Sequence, residues 1–198
     1  MTDILLREDV ASIATLTLND PGKLNALSDA MLAALKAEFA ALREDRSIKA
    51  VVLAGAGKAF CAGHDLKEMQ AGRQSEDGGR AYFADLFTRC GEVMQMIPTL
   101  PQPVIAQVHG WCVGGASDYA LCADLVIASD DAVIGTPYAR MWGAYLTGMW
   151  LYRLSLSKVK WHSLTGEPLT GKEAAAVELI NESVPFERLE ARVAEIAA

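Results

Sequence analysis

Short apolar runs rich in strand-favouring residues recur along this chain, and they limit it to a fold that buries a sheet against helices. Ile13-Ala-Thr-Leu-Thr-Leu18 and Ala50-Val-Val-Leu-Ala54 come first, dense in residues that suit a pleated, buried surface. Between them Ser28 is a good N-cap, and Met31, Leu32, Leu35, Phe39 and Leu42 fall on one helical face. Strand, helix and strand in that order predict a βαβ unit and an α/β class. Residues 103–108, 124–128 and 132–134 repeat the strand signal.

The remaining pattern is helical or polar. Residues 117–122 follow a glycine pair and predict a short helix after a sharp turn. Residues 71–80, AGRQSEDGGR, read as a surface loop, and the segment from Tyr82 to Ile97 as a helix ending before Pro98. Thr170-Gly-Lys-Glu173 matches a capping box, and Leu189, Val193 and Ile196 predict a last helix. Without an internal repeat or a linker, residues 1–198 are expected to form a single domain.

Composition narrows the function classes. A net charge of -7 gives no support to a nucleic-acid-binding surface. The cysteines Cys61, Cys90, Cys112 and Cys122 form no CxxC pair and sit among apolar neighbours, so reduced, buried thiols are expected. The beginning MTDILLREDV has no apolar run of signal-peptide length, and no stretch reaches membrane-spanning length without a charge or breaker. A cytoplasmic location, with no membrane contact, is the expectation.

Several familiar motifs fail on inspection. Gly55-Ala-Gly-Lys58 has Ala59 where a phosphate loop needs Ser or Thr. Gly115-Ala-Ser117-Asp-Tyr119 lacks the closing glycine of a nucleophile elbow. His64, His109 and His162 form no HExxH pair, so no metal site is expected. Two glycine-containing turns survive: Phe60-Cys-Ala-Gly63-His64-Asp65-Leu66 and Gly110-Trp-Cys-Val-Gly114-Gly115-Ala116-Ser117-Asp118, each downstream of a strand. Glycine lets backbone approach a ligand closely with N–H groups exposed. Two such turns converging on one carbonyl oxygen would make an oxyanion hole, while each taken alone reads first as an ordinary tight turn.

Read in order, Lys23-Leu-Asn-Ala-Leu27, Ala50-Val-Val-Leu-Ala-Gly55, Lys58-Ala-Phe-Cys-Ala-Gly-His-Asp-Leu66, Pro103-Val-Ile-Ala-Gln-Val-His-Gly110, Val113-Gly-Gly-Ala-Ser-Asp118 and Cys122-Ala-Asp-Leu-Val-Ile-Ala128 resemble the crotonase (enoyl-CoA hydratase/isomerase) family. Leu164-Thr-Gly166, Glu173-Ala-Ala175 and Leu179-Ile-Asn181 continue the likeness, which covers roughly residues 3–198. The resemblance implies a spiral of repeated ββα units and an acyl-CoA thioester substrate. It also implies a place in fatty acid metabolism, with no cofactor because CoA is part of the substrate. By position, the N–H groups of His64 and Gly115 match the family's oxyanion hole. Lys23, Leu24, Ala26, Ala62, Asp65 and Leu66 match the wall that meets the CoA nucleotide. Trp111, Gly114, Pro137 and Trp142 are expected to bind substrate with them. A homo-oligomer, a trimer or dimer of trimers, is implied as well.

The chain departs from the family pattern at three places. Asp118 stands where hydratases usually carry Glu, and Tyr138 or Ala139 where they carry a second carboxylate. A tyrosine hydroxyl ordinarily titrates near about 10, which suits a proton donor better than a base. Trp142, Tyr145, Trp150 and Tyr152 read either as a pocket for a bulky acyl group or as core and interface aromatics. Family members usually continue for some tens of residues more, so the C-terminal helical segment is expected to be shortened. The leading expectation is an enoyl-CoA hydratase, a lyase. A double-bond isomerase, an acyl-CoA hydrolase and a noncatalytic acyl-CoA-binding homologue are the alternatives.

Overall fold

The computed structural model describes residues 3–141 and 148–198. The chain begins with β1 (Leu5–Val10), β2 (Ile13–Leu18), α1 (Asp29–Glu44), β3 (Ala50–Gly55), β4 (Ala59–Cys61), α2 (Leu66–Gly72) and α3 (Arg80–Met96). It continues with β5 (Val104–Val108), β6 (Trp111–Val113), α4 (Gly115–Leu121), β7 (Leu125–Ser129) and β8 (Val133–Gly135). After α5 (Gly148–Arg153) and α6 (Leu156–Thr165) come β9 (Leu169–Thr170), α7 (Gly171–Ala176), β10 (Glu182–Val184) and α8 (Phe186–Ala197).

One sheet runs β1-β2-β3-β5-β7-β10 and the other β4-β6-β8-β9. Apart from the antiparallel β1–β2 and β8–β9 pairs, neighbours are parallel. Three strands of the first sheet are each followed by a short strand of the second: β3 by β4, β5 by β6, β7 by β8. Val51 pairs with Val104 and Ile105 with Leu125, while Cys61 pairs with Cys112 and Cys112 with Ile134. Each ββα unit therefore stacks one step along from the last, which is the predicted spiral.

The apolar runs are continuous because both faces of the large sheet are covered. Val51 and Leu53 enter the main core with Met31, Leu32, Leu35, Phe39 and Leu42 of α1. Val52 points the other way, to a smaller cluster with Ile105, Ile127 and the α8 residues Leu189 and Val193. Full burial of each such aliphatic side chain contributes about 1.5–3 kcal/mol. Ser28 caps α1 by accepting from Met31 N–H at 3.2 Å, and Thr170 and Glu173 close the capping box of α7.

Some expectations need correcting. The loop expected at 71–80 is shorter, since α2 extends to Gly72 and α3 begins at Arg80. Asp65 accepts from Lys67 and Glu68 N–H at 2.9 and 3.3 Å and so starts a helix that the polar composition hid. Strand β1 escaped notice because it is an edge, with Arg7 tied to Asp9 and Asp45. Strands β4 and β6 are each three residues long, too short to show a period. All four cysteines are buried and free, as expected. Among the described residues no helix is long and apolar enough to cross a membrane.

Asn25 was not anticipated as a structural centre. It is fully buried at φ 56°, a left-handed conformation that Asn tolerates. Its Nδ2 donates to the carbonyls of Ala56 and Ala59 at 2.8 Å and of Phe60 at 3.2 Å, while Oδ1 accepts from Asp20 N–H at 2.9 Å. One side chain thus pins the segment before α1 to the β3–β4 corner. Asn25→Ala and Asn25→Gly are both expected to lower stability by at least about 2 kcal/mol, because the buried carbonyls lose their donor. Urea midpoints check this, and a Gly variant as stable as the parent would show that only the backbone conformation matters.

Candidate active site

The site forms where β4 and β6 run out side by side. Beyond β4, Gly63 adopts φ 88°, and a Cβ there would lie 2.8 Å from the Val113 carbonyl oxygen and 3.5 Å from the Gly115 nitrogen. Only glycine lets the two turns approach so closely. Leu27 N–H donates to the Gly63 carbonyl at 2.8 Å, and Asp65 N–H to the Leu27 carbonyl at 3.3 Å. In a parallel bridge that geometry turns the N–H of the middle residue, His64, away from Leu27.

The second turn is held by side chains. Gly114 N–H donates to the Gly135 carbonyl at 2.8 Å. Ser117 Oγ donates to the Gly114 carbonyl at 2.8 Å and accepts from Trp150 Nε1 at 3.0 Å. Gly115 opens α4, where the first N–H groups have no partner within the helix. Among the described residues, nothing accepts a hydrogen bond from the N–H of His64 or of Gly115.

Both turns face one cavity of about 820 Å³, within the roughly 300–1,000 Å³ usual for a small-molecule site. Ala62, Gly63, His64, Val113, Gly114 and Gly115 form its inner side. Leu66 and Met69 of α2, with Phe83 and Phe87 of α3, form an apolar wall, the two phenyl rings stacked at 6.3 Å. Pro137 and Tyr138 close the opposite edge, the tyrosine hydroxyl 3.5 Å from where a Gly114 Cβ would stand. The Phe83–Phe87 wall was missed in the sequence. Its only signal is an i, i+4 aromatic pair off the α3 stripe of Leu86, Cys90 and Val93.

The other anticipated residues differ in where they lie. Lys23, Leu24, Ala26, Asp65 and Leu66 cluster beside the first turn, with Leu24 accepting from Ala62 N–H at 3.0 Å and Lys23 Nζ 3.0 Å from Asp65 Oδ2. Trp111 is half exposed on β6 and does not line the cavity. Asp118 lies three residues along α4 from Gly115, on the same helical face. It is buried and is not among the cavity-lining residues. Burial pushes the Cys122 thiol up to about 12, and the nearby Asp118 adds to that shift. Trp142 and Tyr145 lie outside the described residues. The proposed aromatic pocket loses its other members: Trp150 is fully buried core, held by Ser117, and Tyr152 is 85% exposed.

Burial penalises the Asp65 carboxylate, but Lys23 and the two capping N–H groups outweigh it and hold the carboxyl below its usual range. Burial also lowers the His64 imidazole below its ordinary 6.5, with a hydrogen bond to the Leu27 carbonyl opposing it. No group of three or more His, Cys, Asp or Glu able to hold a metal ion occurs among the described residues.

The stacked ββα units of two mostly parallel sheets define the crotonase fold, with two glycine turns meeting at one cavity. The chain belongs to the enoyl-CoA hydratase/isomerase family, whose family model matches residues 8–198. It is 34% identical over 188 residues to enoyl-CoA hydratase domain-containing protein 3, mitochondrial, of Mus musculus, covering 93% of this chain and 61% of that protein. A probable mitochondrial enoyl-CoA hydratase of Dictyostelium discoideum is 31% identical over 92% of this chain and 64% of its own length. The crystal structure of enoyl-CoA hydratase from Mycobacterium smegmatis superposes with a TM-score of 0.92 at 38% identity, covering 98% of this chain and 75% of that one. The chain thus spans less than two thirds of the length of these two curated relatives.

Because the folded Asp65 carboxyl titrates low, its stabilising contribution is present above the unfolded value of about 3.9 and is lost as pH falls through the lower folded value. Asp65→Asn, which keeps a capping oxygen but loses the charge, is expected to be less stable than the parent at pH 7 by up to about 1 kcal/mol. The gap should close as pH drops below about 4, and urea unfolding across that range measures it.

Proposed function

We propose that this chain binds an acyl-CoA thioester with the carbonyl oxygen between the N–H groups of His64 and Gly115, and adds water to an α,β-unsaturated member of that class. The observation that carries this reading is the pair of N–H groups without acceptors among the described residues, on two interlocked glycine turns facing one cavity. Attack of water at the β-carbon moves electrons through the double bond onto the thioester oxygen. Two fixed donors stabilise that enolate, and removal of one such donor typically costs about 2.7–4 kcal/mol of barrier. Asp118 activates the water, and Tyr138 or water returns a proton to the α-carbon. Lys23, Leu24, Ala26, Ala62, Asp65 and Leu66 flank the CoA portion. The names of the relatives support this chemistry class.

A double-bond isomerase is the second reading. It is favoured by one observation: His64 and Tyr138 line the cavity and the Asp118 carboxylate does not. A proton shift along the acyl chain needs no activated water, only the same enolate-stabilising pair and one group to carry the proton.

Calorimetric titration with acetoacetyl-CoA, an enolisable thioester that does not turn over, is the test. Binding with an enolate-like change in ligand absorbance is expected. Asp118→Asn should then reduce hydration of crotonyl-CoA by about 10²–10⁴-fold while leaving acetoacetyl-CoA affinity unchanged. Failure of the folded parent to bind acetoacetyl-CoA would sink the thioester reading. Undiminished hydration by the variant would remove Asp118 from it.

A further inference from the structure

The geometry points to the imidazole of His64, and not only its backbone N–H, as the base that takes the α-carbon proton of the bound thioester. This rests on the thioester reading above and adds a proton-carrying side chain to it.

The ring lies in the cavity against the second turn. His64 Nε2 is 2.7 Å from the point a Cβ on Gly115 would occupy, with Cδ2 at 3.1 Å and Cε1 at 3.4 Å. The Nε2 edge of the imidazole is therefore laid over the Gly115 turn, beside one of the two N–H donors. Any side chain at 115 would strike the ring, so the glycine serves the imidazole as well as the backbone approach. His64 lines the cavity, and the Cys90 Sγ packs 3.9 and 4.0 Å from its two ring nitrogens, fixing the ring from the α3 side.

The side chains present leave this task open for an imidazole. The residue at the usual second-carboxylate position is Tyr138 or Ala139, neither of them a carboxylate, and Asp118 is not among the cavity-lining residues. The titratable groups packed around the ring are few. Asp65 on α2 is turned to Lys23, and Arg73 stands at the other end of that helix. Cys90 on α3 is pushed up to about 11 by burial and stays a thiol. Among the described residues, Asp118 of α4 and Tyr138 after β8 lie on the remaining elements, and Arg89, Asp29 and Tyr119 stand beside Cys90. Burial lowers the imidazole below 6.5, so the ring is neutral at pH 7 with a lone pair to offer.

The step balances within the thioester. The unprotonated ring nitrogen takes the α-proton and the ring becomes imidazolium. The C–H bonding pair forms the carbon–carbon double bond of the enolate, and the carbonyl π pair moves onto the oxygen held by the two N–H groups. Return of the proton to the α-carbon, or to the γ-carbon of an unsaturated chain, restores the neutral ring.

The test is exchange of the α-protons of butyryl-CoA in D2O, followed by mass spectrometry, for the parent, His64→Gln, His64→Ala and Asp118→Asn. Acetoacetyl-CoA titrations run alongside. Both His64 variants retain the backbone N–H, so acetoacetyl-CoA affinity should change by less than about fivefold while exchange slows by about 10²–10⁴-fold. The parent's exchange rate should fall on acidification with a midpoint below 6.5, and that midpoint should vanish in both His64 variants. Exchange at the parental rate in either folded His64 variant overturns the inference. So does exchange abolished by Asp118→Asn but not by His64→Gln, or a parent that binds acetoacetyl-CoA and exchanges nothing. A parent that fails to bind acetoacetyl-CoA overturns the thioester reading and this inference together.

Discussion

The rest of the structure depends on the contact between two backbone turns, where Gly63 meets the Val113 carbonyl and the Gly115 nitrogen. That contact sets the distance between the ends of β4 and β6, and hence the step from one ββα unit to the next. It also decides where the N–H groups of His64 and Gly115 point. A methyl group at Gly63 would force the turns apart, and the cavity's inner side would cease to exist as one surface. The requirement for positive φ at Gly63 and Gly114 reinforces the same constraint from within each turn.

Such a contact needs rigid supports, and the fold provides them from both sides. Asn25 ties the carbonyls of the β3–β4 corner to the segment before α1. Ser117, fixed by Trp150 across the α4–α5 packing, holds the Gly114 carbonyl. Behind both, the parallel strands are buried on two faces, by α1 on one side and α8 on the other. Each support is a fully buried polar or aromatic side chain whose hydrogen bonds are met inside the protein. Polar groups of this kind rigidify the structure when satisfied and are costly when they are not.

Backbone and side chains divide the cavity between them. The backbone presents two N–H groups, donors that need no titration and no side-chain entropy. The side chains facing the cavity are mostly apolar, with His64 and Tyr138 as its inner proton-bearing groups and Arg73 toward the far end of α2. A low-polarity wall of Met69, Phe83 and Phe87 strengthens each hydrogen bond made inside it, because the local dielectric falls as water is excluded.

Much of this was legible in the sequence. Strands β2, β3, β5 and β7 and helix α1 were readable because burial on one or both faces imposes a periodicity or a continuous apolar run. The capping residues Ser28 and Thr170 were readable because helix ends have unmet N–H groups that particular side chains satisfy. The glycine turns at Gly63 and Gly114–Gly115 were readable as turns, since positive φ selects glycine locally. Sequence could not decide that the turns touch, because that distance is set by the pairing of β4 with β6 across about 50 residues of chain. It could not sort the aromatic cluster, because burial of Trp150 and exposure of Tyr152 depend on how α5 meets α4. Nor could it place the imidazole of His64 over Gly115 or bury the carboxylate of Asp118. Local sequence fixes the backbone conformation each residue can adopt; only packing between distant segments decides which side chain faces the cavity.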